Sequence, residues 1–160
     1  MDIKRILKSP ESRMLEFKRK LPKNRQNILK TIIGFANGSG GSLYIGVNDD
    51  RSVCGIEDEP FGLEESLSSF FYDSISPTPN IFYQTISAEQ KTVFVIKVLP
   101  GANKPYFIKK AGPEDGTFVR VGSTNRKADA QILAELKRQA RNISLDSEVE
   151  TSFNCDIFDL

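Results

Sequence analysis

The sequence predicts an α+β domain, a layered mixed sheet with about three helices, and three observations carry that expectation. Apolar residues recur at helical spacing in three separated stretches, short runs of strand length lie between them, and clusters of Gly, Pro, Asn and Asp punctuate the joins. Leu15 to Lys20 reads as a short strand, followed by a turn at Pro22. Asn24 then caps a helix in which Ile28, Leu29, Ile32, Ile33 and Phe35 or Ala36 share the period, and Asn37-Gly38-Ser39-Gly40-Gly41 ends it. Leu43 to Val47 is a buried strand, and Asn48-Asp49-Asp50-Arg51 turns the chain into a second strand at Ser52 to Ile56. Leu63, Leu67, Phe70, Phe71 and Ile75 mark a second helix that Pro77 and Pro79 stop.

Ile81 to Ser87 and Thr92 to Leu99 flank Ala88-Glu89-Gln90-Lys91 and form a hairpin. In its second strand Val93 and Val95 face one way and Phe94, Ile96 and Val98 the other, so both faces are expected to be covered. Thr117 to Val121 is a short strand, Gly122-Ser123-Thr124-Asn125 opens the last helix, and Ala128, Ile132, Leu133, Leu136 and Ala140 form that helix's apolar face. The order is β-α-β-β-α-β-β-β-α, one domain over residues 1–143, with 144–160 as an acidic tail or the start of a linker.

Among 160 residues there are two cysteines, Cys54 and Cys155, and no histidine, which excludes Cys/His zinc sites, His-based triads and a disulfide scaffold. No signal peptide and no run long enough to cross a bilayer is present, so the expected setting is reducing and cytoplasmic, with no membrane partner. The 22 bases and 21 acids nearly cancel, yet they are unevenly spread. The stretch 144–160 holds five acids and no base, whereas the first thirty residues hold ten bases and three acids. A basic front of this kind attracts polyanions by neutralising phosphates and releasing counterions. Charge alone serves a solvated surface equally well.

Glu11-Ser-Arg-Met-Leu-Glu16-Phe-Lys18 is the most informative stretch, because a strand would project Glu16 and Lys18 from one face. Read alone, such a pair more often means an exposed ion pair. Asp49, on the turn behind a buried strand, adds a third carboxylate, and Glu11, Glu16 and Asp49 together offer oxygen ligands suited to Mg²⁺ or Mn²⁺. Gly38-Ser39-Gly40-Gly41 follows a helix and lacks the Lys-Ser/Thr of a phosphate-cradling loop, so its role is conformational. Gly122-Ser123-Thr124-Asn125, flanked by Arg120 and Arg126, would suit a phosphate or a simple cap at the start of a helix.

Glu11 to Lys18, Ile33-Gly-Phe-Ala-Asn-Gly-x-Gly-Gly-x-Leu-Tyr-Ile-Gly-Val-Asn-Asp-Asp50, Gly55-Ile56, Ile75-Ser-Pro77, Lys104-Pro105-Tyr106 and Val119-Arg120-Val-Gly-Ser123-Thr124 run in an order that resembles the Schlafen AlbA-like domain. The resemblance covers about residues 10 to 143 and implies a divergent Alba-like fold with a DNA-binding role, commonly at the N-terminus of larger microbial transcriptional regulators. It also implies an alternative. In animal Schlafen proteins the similar domain is a metal-dependent endoribonuclease with three carboxylates, whose positions match Glu11, Glu16 and Asp49, with Lys18 beside the scissile phosphate. That nuclease is built from two copies and a zinc site, whereas this chain has one copy and no histidine, so a comparable groove would need a homodimer.

The leading expectation is a module that grips the phosphate backbone of DNA or RNA through Lys18, Arg19, Lys20, Lys23, Arg25, Arg120, Arg126 and Lys127. Binding of that kind requires no cofactor, and the nuclease alternative requires Mg²⁺ or Mn²⁺.

Overall fold

A computed structural model of the protein describes residues 3–142, so the acidic tail and Cys155 lie outside the described residues. The elements are α1 (Ile3–Leu7), β1 (Leu15–Lys18), α2 (Gln26–Asn37), β2 (Gly41–Ile45), α3 (Pro60–Ser74), β3 (Ile75–Ser76), β4 (Ile81–Ala88), β5 (Lys91–Val98), β6 (Phe107–Ile108), α4 (Gly112–Gly116), β7 (Phe118–Val121) and β8 (Thr124–Lys127). A fifth helix, α5, occupies 130–142. The class is α+β, as predicted. Three helices are long and two are single turns, which are too short to show a period in the sequence.

The main sheet runs β1-β2-β5-β4. β1 and β2 are parallel, joined through α2 as a parallel pair requires. The other two pairings are antiparallel. The β4–β5 hairpin turns at Glu89 and Gln90, both with positive φ. Val93 and Val95 of β5 face a smaller core with Phe17, Tyr44, Val47 and Val53, while Phe94, Ile96 and Val98 face the larger core under α2 and α3. Both faces of this strand are therefore covered, and its wholly apolar run follows from that.

α1 supplies the lid of the smaller core through Ile3, Ile6 and Leu7. Arg51 pins it there: Nη1 donates to the Leu7 carbonyl at 3.3 Å and the Ser9 carbonyl at 2.5 Å, and the guanidinium lies 4.0 Å from the centroid of the Phe17 ring.

α2 is buried without interruption from Thr31 to Asn37, because the sheet covers one side and β7 lies against the other. At its end Asn37 is fully engaged. Its Nδ2 donates to the carbonyls of Tyr106 (2.9 Å) and Phe118 (2.8 Å), and its Oδ1 accepts from the Tyr106 N–H at 2.7 Å. This one side chain fastens two later segments to the helix end.

Two expectations are corrected. Ser52 to Ile56 does not add a strand, since only an isolated bridge joins Val47 to Val53. The Gly46 carbonyl accepts from both Cys54 and Gly55 N–H groups at 2.9 Å, and Ile56 N–H then donates to Thr92 at 2.8 Å. The backbone is thus pinched at one point and led across to β5. Gly122 to Asn125 does not open a helix either. Gly122 has φ +60° and turns the β7–β8 hairpin, with Val121 opposite Thr124 and Arg120 opposite Asn125. The helix begins later, capped by Asp129, whose Oδ1 accepts from Ile132 N–H at 2.8 Å.

Replacing Asn37 by Ala leaves two carbonyls and one N–H buried without partners. We expect Asn37→Ala to cost about 2–4 kcal/mol in urea unfolding, and a loss under about 0.5 kcal/mol would contradict this role.

Candidate functional site

β1 turns Phe17 toward the smaller core and Glu16 and Lys18 toward the α2 side, where the register sets them opposite Leu43 and Ile45. Glu16 is consequently poorly solvated, its side chain only 12% exposed, and it needs compensation. Arg120 of β7 supplies it: Nη2 sits 2.9 Å from Glu16 Oε2. The same Nη2 donates to the Ser12 carbonyl at 2.6 Å, and Nη1 donates to Asn125 Oδ1 at 3.0 Å. Asn125 Nδ2 in turn donates to Thr31 Oγ1 of α2 at 2.9 Å. The Arg120 guanidinium lies over the Phe35 ring, 5.2 Å from its centroid.

Room for this arginine is made by Gly34, in the interior of α2. A Cβ there would lie 2.8 Å from Arg120 Cγ. A helix-interior glycine costs about 1 kcal/mol against alanine, and the passage of Arg120 explains why one stands here.

Glu11 completes the cluster. Its Oε2 accepts from Phe17 N–H at 3.1 Å, which sets its carboxyl near enough to Glu16 to act on that group's protonation. Burial raises the Glu16 pKa above 4.5, the hydrogen bond and charge of Glu11 raise it further, and Arg120 opposes both. Lys18 stands at the outer rim, 3.8 Å from Glu16 Oε1 and 43% exposed.

The candidate residues are distributed as follows. Arg120 is interior, its side chain 3% exposed, so it is a tie between elements where the sequence suggested a phosphate contact. Arg19, Lys20 and Lys23 are exposed on the loop leaving β1, and Arg126 is exposed on β8 with Nε 3.5 Å from Thr124 Oγ1. Lys127 pairs with Asp115 at 2.9 Å. Arg25 lies over Phe70 at 5.8 Å, with Nη1 3.5 Å from Ser66 Oγ. Asp49 sits in a surface depression with Arg19, Asn48 and Asp50. The structure joins Glu11 to Glu16 and leaves Asp49 outside that pair: among the described residues no group of three or more His, Cys, Asp or Glu is placed to hold a metal ion.

Sequence reasoning missed Gly34, Thr31 and Asn125 as parts of this site. The signal available was the glycine itself, which interrupts an otherwise apolar helix without ending it.

The geometry defines an α+β domain whose last hairpin is tied by a buried arginine to the first strand of the main sheet. The family model described as Schlafen, AlbA_2 matches residues 11–129, and the chain belongs to that family. Two of the solved structures that share the fold illustrate it. One is the N-terminal domain of a protein from Nitrosomonas europaea provisionally described as an ATP-dependent DNA helicase related to RecG, at 23% identity and TM-score 0.51, covering 75% of this chain and 85% of that one. The other is the DIP2311 protein from Corynebacterium diphtheriae, at 20% identity and TM-score 0.53, covering 79% of this chain. This chain spans 27% of the length of that protein. No curated protein matches the sequence. Among the described residues no helix is long and apolar enough to cross a membrane.

Two outcomes follow from the buried pair. Because the Glu16 pKa is raised, its pH-dependent share of stability is fully present below 4.5 and is lost as pH rises through the folded value. Arg120→Met removes the opposing charge and raises that pKa again. The variant should lose about 3 kcal/mol near neutrality and less in acid, read by thermal melts across pH, and a deficit that grows toward low pH would contradict the pairing. Gly34→Ala should destabilise by about 1–3 kcal/mol in urea despite the better helix propensity of alanine, and a gain in stability would show that Arg120 does not need the space.

Proposed function

We propose that the domain binds nucleic acid, DNA in the first instance, through the phosphate backbone, as one part of a transcriptional regulator. The observation that carries this reading is the Arg120 tie. Its contacts with Ser12 and Glu16 hold the β7–β8 hairpin, with exposed Arg126, beside the segment that ends in Lys18, Arg19 and Lys20. Two basic segments about a hundred residues apart in sequence are thereby tied to one another. Of these four, only Lys18 has an acidic partner among the described residues, at a distance of 3.8 Å. Such a surface suits phosphates and carries little sequence information.

Two comparisons support the reading from outside the site. The Nitrosomonas europaea domain is the front part of a protein described by an action on DNA, and the Corynebacterium diphtheriae protein carries this fold within a longer chain. A module that tethers a larger regulator to DNA fits both.

A second reading, a Schlafen-type endoribonuclease dependent on Mg²⁺ or Mn²⁺, has one observation in its favour: Glu11 and Glu16 meet, and the pKa of Glu16 is raised, as at sites that attract a cation. Asp49 stands apart from them, and no hydrolytic step is built on the pair.

If four cations contact phosphates, the plot of log affinity against log salt should have a slope of about −3 to −4 on duplex DNA. Changing Lys18, Arg19 and Lys20 together to Ala should remove about 3 from that slope, measured by fluorescence anisotropy between low and moderate salt. A slope that the triple change leaves intact would place the binding surface elsewhere.

A further inference from the structure

Next to these basic residues lies a cleft of about 400 Å³ between the loop leaving β1 and the segment that follows the Val47–Val53 bridge. Its apolar surface comes from Leu21 and Ile56, which are partly buried and pack against the main core above the buried Ile45. Its rims carry opposite charges, with Arg19 and Lys20 on one side and Glu57 and Asp58 on the other, all exposed. Among the described residues no ion pair joins these rims. The walls are fixed by backbone bonds, since the Lys18 carbonyl accepts from Gly46 (2.8 Å) and Val47 (3.1 Å), and Gly46 accepts from Cys54 and Gly55 at 2.9 Å each.

A preformed cleft with cations at one lip, acceptors at the other and an apolar floor suits a flat ligand that is anionic at one end and a hydrogen-bond donor at the other. A nucleotide has this character, with its phosphate toward Arg19 and Lys20 and its base against Leu21 and Ile56. Carboxylates accept hydrogen bonds from the exocyclic amino groups of bases. The cleft also continues into a groove that shares Leu21 and Asp58 and carries Lys23 and Arg25. A neighbouring phosphate has somewhere to go, which favours a strand over a free nucleotide.

We infer that this cleft is a subsite for one unstacked, amino-bearing base (cytosine, adenine or guanine) of a single strand, held against Leu21 and Ile56 with Glu57 and Asp58 as acceptors and Arg19 and Lys20 on the phosphate. The inference rests on the nucleic-acid-binding reading above and narrows it to strands whose bases are free to leave the stack. Base pairing would occupy the amino group and keep the base out of the cleft.

The test uses the full chain and dye-labelled oligo-dT about twelve residues long, alongside the same oligomer with one central dC, dA or dG, and a duplex of the substituted oligomer. The substituted single strands should bind about tenfold more tightly than oligo-dT and than the duplex. Glu57→Ala with Asp58→Ala, both at exposed positions, should abolish that margin and leave the negative salt slope in place. Equal affinity for oligo-dT and the substituted strands, or a margin that survives the double change, overturns the subsite while the phosphate-gripping reading stands. Absence of salt-dependent binding to every oligomer overturns both. Competition by free dCMP at concentrations comparable to the oligomer overturns the assignment to a strand.

Discussion

Arg120 brings a permanent charge into a space where 3% of its side chain meets solvent. A charge so placed is tolerated only where partners replace the lost water, and each partner here belongs to a different part of the chain. Glu16 comes from β1, the Ser12 carbonyl from the loop before it, and Asn125 from β8. Asn125 carries the link on to Thr31 of α2. The β7–β8 hairpin is a separate two-stranded sheet with no ladder to the main one. Its position on the molecule therefore depends on this polar knot, on the bond from Asn37 to the Phe118 carbonyl and on the packing of partly buried Phe118 against the core. Gly34 is the steric condition for the knot, since any side chain at that position meets Arg120.

Much of the fold was legible because it rests on local periodicity. The α2 and α3 helices, the β4–β5 hairpin and the two-sided burial of β5 follow from spacing that packing reinforces. What failed depends on single contacts that leave no periodic trace. Ser52 to Ile56 has strand composition, yet the bifurcated Gly46 carbonyl diverts it. Thr124 to Lys127 is polar and precedes an apolar helical run, so it reads as a helix start; Gly122 and the Arg120–Asn125 bond make it a strand. The single turn of α1 is held by Arg51, a residue more than forty positions away.

The candidate site was legible in residue type and less so in role. Glu11, Glu16 and Lys18 do form a cluster, and Arg120 does belong to it. Spacing cannot say whether an arginine on a short strand points outward to a ligand or inward to a carboxylate, because both fit the alternation of Val119, Arg120 and Val121. The inward orientation changes the electrostatics of the whole cluster. It satisfies Glu16 from behind and leaves Lys18 at the rim of the cluster, with Arg19 exposed beside it. Asp49 lies beside Arg19 in its own depression, so the acids are separated into a structural pair and a surface group.

The proposed function has the loop after β1 and the β7–β8 hairpin, tied by this knot, act together on phosphates. It is tested most directly by following the backbone amide resonances of the ¹⁵N-labelled protein during titration with a short oligonucleotide. Residues 18–23 and 124–127 are expected to shift together, with the same concentration dependence, while β4 and the outer face of α3 stay still. Shifts confined to β4 or α3, or two regions that saturate independently, would contradict it.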